Sequence, residues 1–295
     1  MYKKSAIHYM GNKYSLLPQI KPYFPRNITT FYDLFGGSAV VSMNIKAESY
    51  VVNDLSEHIY NLYRMFKNIS PDEIIAYCYA MRDKFGFSAD ETVKSKIAEL
   101  NKDPYYKCRE YLNNDPSTLG YYFLSFYSFC NQFRFNNGKF NMPVGNGYFK
   151  RDCEKPINDM CKFFSQENVE IHNKSYEDFS IFPTDSLVYC DIPYCNTDAV
   201  YNENRELDGW GEEQDYRFFQ WCEDLNRRGV KFAISNVFCN KGQENNHLKE
   251  WCEKNGWEVH HLCMKYAGHS WETANSDVDE VLICNYKHEN SIFLF

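Results

Sequence analysis

The amino-acid sequence predicts an α/β fold interrupted by a helical insertion, and three observations lead there. Short β-rich runs followed by amphipathic stretches recur at both ends of the chain. Between them, residues 67–165 are aromatic and helical in pattern, with few strand signals before an Asn- and Gly-rich segment at 131–147. The last two β-rich runs, at 258–264 and 280–286, have no helical pattern between them and are expected to pair antiparallel. On this division residues 1–66 and 166–295 form one α/β domain, and residues 67–165 an inserted, mainly helical one.

Taken in order, residues 29–35 read as a strand, Gly36-Gly37-Ser38 as a turn, and 39–47 as a helix. A second strand at 50–53 leads into a helix over 55–67, which places Ile59, Leu62, Tyr63 and Phe66 on one face. Strands resume at 169–171, 187–190 and 231–235, so the sheet has seven strands counting the final pair.

A chain of 295 residues with 44% hydrophobic and 24% charged residues can bury a core, which excludes a disordered or fibrous protein. The longest uncharged stretch, 116–133, contains Pro, Gly, Ser, Asn and Gln and is expected to be a buried helix, not a membrane span. The N-terminus lacks the apolar run of a signal peptide, so a cytoplasmic protein is expected. The twelve cysteines lie in apolar or aromatic surroundings and are expected to be reduced, buried thiols. No Cys-x-x-Cys occurs and the adjacent His260-His261 lacks the helical spacing of a metal pair, so no metal site is expected.

The net charge of −8 argues against nonspecific coating of nucleic acid, but the charge is unevenly distributed. Residues 1–30 carry five Lys or Arg and no acid, residues 130–151 carry four and none, and residues 198–224 hold nine acids against two Arg. The basic segments are either ordinary solvated faces or two walls of one phosphate-binding cleft.

Three segments carry chemistry. In Asp33-Leu34-Phe35-Gly36-Gly37-Ser38-Ala39 a strand ends in an acid and turns through two glycines, either to make the turn alone or to let a nucleotide-like ligand approach the backbone. Asp54 lies at the end of the next strand, where doubly wound folds place a ribose-binding acid; with Glu57 it also fits a capping box. Asp191-Ile192-Pro193-Tyr194 directly follows an apolar strand.

That loop resembles the Asp-Pro-Pro-Tyr signature of amino-methyltransferases, and other elements follow in the same order. Tyr9-Met10-Gly11-Asn12-Lys13-Tyr14 is similar to the N-terminal cofactor motif of the Dam-type (D12 class) DNA adenine-N6 methyltransferases, and the stretch from Arg134 to Gly145 to that family's DNA-reading hairpin. The resemblance spans nearly the whole chain. It implies a Rossmann-like S-adenosylmethionine-dependent methyltransferase fold with a helical target-recognition insert, acting on adenine N6 in double-stranded DNA by base flipping. It implies that the Asp191 carboxylate and the Ile192 carbonyl accept the two amino hydrogens, that Pro193 sets the corner, and that Tyr194 stacks on the base. By the same resemblance Tyr9 and Lys13 hold the cofactor's adenosine and methionine ends, with Met10, Asp33, Phe35, Gly36, Gly37, Ser38, Ala39 and Asp191 around it. Asp54 would hold the ribose, and Asp178 with Phe179 would bracket the adenine ring. Arg134, with Asn136, Asn141 and Pro143, would read bases, while Lys3, Lys4, Lys139, Lys150 and Arg151 would meet phosphates. Ile192 departs from the signature's first proline, and Ala39 stands where a third glycine is frequent. Cytosine-N4 or protein-glutamine methylation, and a catalytically inactive DNA-binding relative, are the alternative readings.

Overall fold

The computed structural model describes residues 2–89, 96–195, 210–262 and 278–288. After a short α1 (Leu17–Ile20), strands β1 (Thr30–Asp33) and β2 (Ser49–Asn53) precede α2 (Glu57–Asn68) and α3 (Pro71–Phe85). The central stretch continues with α4 (Ile97–Leu100), α5 (Lys102–Asn114), α6 (Thr118–Ser125), a hairpin of β3 (Phe135–Asn136) and β4 (Lys139–Phe140), and α7 (Glu154–Phe164). The remainder holds β5 (Val169–His172), β6 (Leu187–Asp191), α8 (Glu212–Arg227), β7 (Lys231–Asn240), β8 (Gln243–Glu244), α9 (Asn246–Asn255), β9 (Glu258–Leu262) and β10 (Val278–Cys284).

The main sheet runs in the order β5-β2-β1-β6-β7-β10-β9, with β8 pairing β7. The pairs from β5 to β7 are parallel, whereas β10 is antiparallel to both β7 and β9. This is the mainly parallel, Rossmann-like sheet expected, including the antiparallel pairing of the last two strands, with the short β8 on the end of β7 as an eighth strand where seven were expected. The connection at 263–277 lies outside the described residues. The chain leaves β1 toward β2 on one side and meets β6 on the other, so the carboxyl ends of β1 and β6 border the crevice where open α/β sheets bind ligands.

Alternation along the strands feeds two cores. Phe31, Val52, Tyr189, Ala233 and Leu282 face a cluster shared with α2, α3, α5, α6 and α7. Tyr32, Val51, Val188, Cys190, Ile234 and Ile283 face a second cluster closed by α8 and α9. The expected apolar face of α2 is buried at Ile59, Leu62, Tyr63 and Phe66. The uncharged stretch does contain a buried helix, but only over α6, from Thr118; Gly120 to Ser125 are all buried. No described helix is long and apolar enough to cross a membrane. The eleven described cysteines are free thiols, seven of them buried, with Cys130 exposed.

The central helices share their core with the sheet. Phe66 meets Tyr122 edge to face at 5.3 Å, and the Ala6 amide points at the Met160 sulfur at 3.1 Å. The hairpin turns through Asn137 and Gly138, both at positive φ, as an Asn-Gly turn matched to strand twist does. It is anchored through its main chain: Tyr105 and Arg109 donate to the Met142 carbonyl, and the Asn113 side chain pairs with both the amide and the carbonyl of Phe140.

Two expectations need correction. The helix over 39–47 does not form; the chain makes turns and a single 3-10 turn, Ser42–Asn44. The cause is Ala39, held at φ +54 with its amide on the Gly36 carbonyl, a left-handed conformation that no α-helix accommodates. The capping-box reading of Asp54 also fails, because α2 starts at Glu57 with Ser56 at its N-cap and no side-chain cap. Asp54 instead accepts from the Ser56 amide two residues on, the local turn that aspartates favour.

The glycine turn is steric. A Cβ on Gly36 would lie 2.7 Å from the Tyr63 hydroxyl oxygen and 3.1 Å from the Asn53 carbonyl oxygen. Gly36→Ala should therefore destabilise the protein by about 1–3 kcal/mol. Introduced beside Tyr63→Phe, it should cost at least ~0.5 kcal/mol less in denaturant titrations, since the nearest clashing atom is gone. Additive costs in that double-mutant cycle would show that the clash is with the backbone and not with Tyr63.

Candidate active site

The cavity at the carboxyl ends of β1, β2 and β6 is walled on one side by Tyr9, Met10, Gly11, Asn12 and Lys13. Asp33, Phe35, Gly36, Gly37 and Ser38 form its floor, and Asp54, Tyr189, Asp191 and Pro193 complete it. Every one of these except Gly11, Asn12 and Tyr189 has a role of its own in the sequence reading, and Gly11 and Asn12 belong to the N-terminal motif. Val40, Val41 and Leu55 also line the cavity and carry no motif signal, because they are ordinary apolar residues brought there by the turn.

Gly37 sits at φ +49, and its missing side chain lets the Tyr9 ring approach to 3.0 Å from where a Cβ would be. The Tyr63 hydroxyl donates to the Gly37 carbonyl at 2.8 Å. The Gly37 amide donates to Asp54 Oδ2 at 2.8 Å, while Asp54 Oδ1 accepts from Ser56. One carboxylate thus braces the glycine turn against the next strand end.

At the opposite wall Lys13 Nζ lies 2.7 Å from Asp191 Oδ2 and donates to the Gly11 carbonyl at 2.9 Å. Burial alone would lower the Lys13 ammonium, and the Asp191 carboxylate beside it more than reverses that, so Lys13 stays charged. The Tyr194 hydroxyl donates to Asp191 Oδ1 at 3.2 Å, and Lys13 Nζ lies 5.3 Å from the Tyr194 ring centroid. The side chain of Ile192 is buried in the cluster under α8 and α9. The sequence assigned Lys13 to the cofactor and Asp191 to both the base and the cofactor; the structure joins the two residues in one ion pair.

The cavity is rich in carboxylates. Burial pushes Asp33 up to about 7, against the opposing hydrogen bond from the Ser42 hydroxyl at 2.6 Å. Burial likewise pushes Asp54 up to about 6 despite its two backbone donors. Glu280 on β10, which no motif marked, is raised by burial and feels the charges of both Lys13 and Asp191. Three aspartates at adjacent strand ends with one lysine make a site suited to a cationic ligand.

Asp178 and Phe179 lie outside this lining. Asp178 is exposed, and the Phe179 ring turns into the second core, edge-on to Tyr32 at 6.3 Å. The residue of that turn that reaches toward the cavity is Tyr176, whose ring packs against Phe35 at 5.6 Å, with Trp210 on Phe35 at 5.7 Å. The 3-10 turn over Tyr176–Asp178 rotates the first residue inward and the third outward.

On the hairpin, Arg134 Nε donates to Asn141 Oδ1 at 2.7 Å and its Nη2 to the Asn141 carbonyl at 3.0 Å. Asn136, Lys139, Pro143 and Arg151 are exposed, and Lys150 is half-buried beside Asp152 at 3.2 Å. Phe129, 55% exposed, precedes Cys130 and Asn131, which both hold positive φ, a strained pair of the kind that clusters at functional surfaces.

The profile of the D12 class N6 adenine-specific DNA methyltransferases matches residues 9–266 of this chain. The chain is 33% identical over 292 residues to modification methylase StsI of Streptococcus sanguinis and 34% identical over 291 residues to type II methyltransferase M.FokI of Planomicrobium okeanokoites. Each alignment covers 97% of this chain and 43% of the relative, so the chain spans less than half the length of these relatives. It is also 25% identical to the retron Ec67 DNA adenine methylase of Escherichia coli, over 79% of this chain and 76% of that one.

The raised Asp33 gives a pH test. A carboxyl that binds its proton more tightly in the folded than in the unfolded state loses stability as pH rises from the ordinary carboxylate value, about 4, to the folded value of about 7. Asp33→Asn keeps a partner for Ser42 and removes the ionisation. Its melting temperature relative to wild type should therefore climb between pH 5 and pH 8, whereas a flat difference would mean that Asp33 ionises normally.

Proposed function

The chain belongs to the D12 class of N6 adenine-specific DNA methyltransferases, and from that premise we propose that it transfers a methyl group from S-adenosylmethionine to N6 of an adenine flipped out of duplex DNA. The observation that carries this reading is the Asp191-Ile192-Pro193-Tyr194 loop, set by the Lys13 ion pair at the rim of an acid-lined cavity beside the glycine turn.

The residues fit the cofactor. S-adenosylmethionine carries a sulfonium and an ammonium, and the buried acids Asp33 and Asp54 give that positive charge a counter-field. The left-handed Gly37 and the Tyr9 ring above it leave a cradle that a side chain at 37 would fill. Phe35, backed by Tyr176 and Trp210, offers the apolar wall for its adenine. When bound, the cofactor supplies an electrophilic methyl group.

The chain's own residues do the rest. The lone pair of an adenine amino group is delocalised into the ring, so the amine must be polarised and aimed. Asp191 accepts one amino hydrogen and the carbonyl of Ile192 the other, which concentrates the lone pair on nitrogen. Tyr194 stacks on the base, a contact worth ~1–3 kcal/mol. Lys13 and Tyr194 hold the Asp191 carboxylate in place, so little reorganisation is left for the reaction step. Residues 67–165 serve as the target-recognition insert. Arg134, oriented by Asn141, reads a guanine edge next to Asn136 and Pro143, and Lys3, Lys4, Lys139, Lys150 and Arg151 meet phosphates.

Incubating the protein with S-adenosylmethionine and unmethylated DNA should yield N6-methyl-2′-deoxyadenosine as the modified nucleoside by mass spectrometry; N4-methyl-2′-deoxycytidine, or methylated protein only, would redirect the assignment. Asp191→Ala should reduce transfer at least ~1,000-fold with duplex affinity within a few-fold of wild type. Turnover close to wild type would remove Asp191 from the chemistry.

Arg134→Ala should cost ~1–3 kcal/mol of binding on the preferred site and little on random duplex. Equal weakening on both, with a salt slope reduced by about one, would make Arg134 a phosphate clamp.

A further inference from the structure

Directly after the loop just described, three side chains from separate parts of the chain converge. Cys195 follows Tyr194, Asp215 lies in the first turn of α8, and His247 in the first turn of α9. His247 Nε2 is 2.7 Å from Asp215 Oδ2 and 3.8 Å from Cys195 Sγ, and all three ligand atoms lie within 4.8 Å of one another. We infer that Cys195, Asp215 and His247 form a zinc-type divalent metal site that fastens the end of the active-site loop to the two helices beneath it.

The surroundings support a metal over a plain polar contact. Asp215 is 1% exposed, and a buried carboxylate needs compensation. Its Oδ1 is taken by the Trp210 indole N–H at 2.6 Å, which leaves Oδ2 turned toward His247 and Cys195. Such an outer-shell hydrogen bond orients a ligand carboxylate. The sulfur, imidazole and carboxylate donor set suits zinc and excludes calcium or magnesium, which take oxygen. Tetrahedral zinc places ligand atoms roughly 3.3–3.7 Å apart. The Cys195–His247 separation of 3.8 Å is within about 0.1 Å of this range, and the Asp215–His247 pair at 2.7 Å must open by roughly 0.6 Å or more as its hydrogen bond gives way. Binding releases the thiol proton, and the Nε2 proton if the ring carries one there. Three protein ligands leave a fourth position for water.

A cysteine nucleophile activated by His247 fits less well. The Nε2 that would take the thiol proton is engaged by Asp215.

Cobalt(II) titration of chelator-treated protein tests the site. One equivalent should bind, with a thiolate-to-cobalt charge-transfer band that zinc displaces. Cys195→Ser should abolish the band, and His247→Gln should weaken cobalt at least ~10-fold. In wild type, zinc should slow alkylation of Cys195, read by peptide mass spectrometry, at least ~10-fold. That measurement stands if the variants misfold. No stoichiometric cobalt binding, a band surviving in folded Cys195→Ser, or no protection of Cys195 would each overturn the proposal. The readouts are independent of methyl transfer, so failure of the proposed activity would leave them interpretable.

Discussion

The site rests on the ion pair between Lys13 and Asp191. Taking either charge out of water costs several kcal/mol, and the pair persists because each partner has a further hydrogen-bonding neighbour, the Gly11 carbonyl for one and the Tyr194 hydroxyl for the other. The pair binds the N-terminal segment to the end of β6, and the active-site loop is attached to it. That link ties the segment from Tyr9 to Lys13, one wall of the cavity, to the end of β6. Position and charge are therefore set together: the same contact that fixes the loop keeps a cation beneath the acids.

The acids themselves work against the fold. Asp33, Asp54 and Glu280 all hold their protons more tightly than they would in water, which marks a site built for something other than stability. Parallel strands end together at the crevice, so the residue that closes each strand is presented to the same volume. A ligand that carries positive charge relieves the strain that this geometry creates.

Much of the sheet was legible in the sequence, because half-buried and buried strands carry their apolar runs openly, and the face of α2 repeats with helical period. The helix at 39–47 was misread since nothing in the composition shows that Ala39 adopts a left-handed conformation. Motifs located Lys13, Asp33, Asp54 and Asp191 at the cavity, yet the Lys13–Asp191 bond joins residues too distant in the chain for any spacing rule. Tyr176 carried no motif, and its packing against Phe35 follows from the 3-10 turn that leaves Asp178 exposed. Cys195, Asp215 and His247 escaped for a related reason: a site assembled from a loop and two helix starts leaves no repeat in the sequence.

The way the hairpin is fastened bears on evolvability. Its anchors from α5, namely Tyr105, Arg109 and Asn113, grip carbonyls and an amide of residues 140 and 142, groups present whatever side chains those positions carry. The exposed positions 136, 139 and 143 hold no part of that grip. A lineage can therefore exchange the outward-facing letters of the hairpin one at a time, each step leaving the scaffold as stable as before, so a change of target need not pass through an unfolded ancestor.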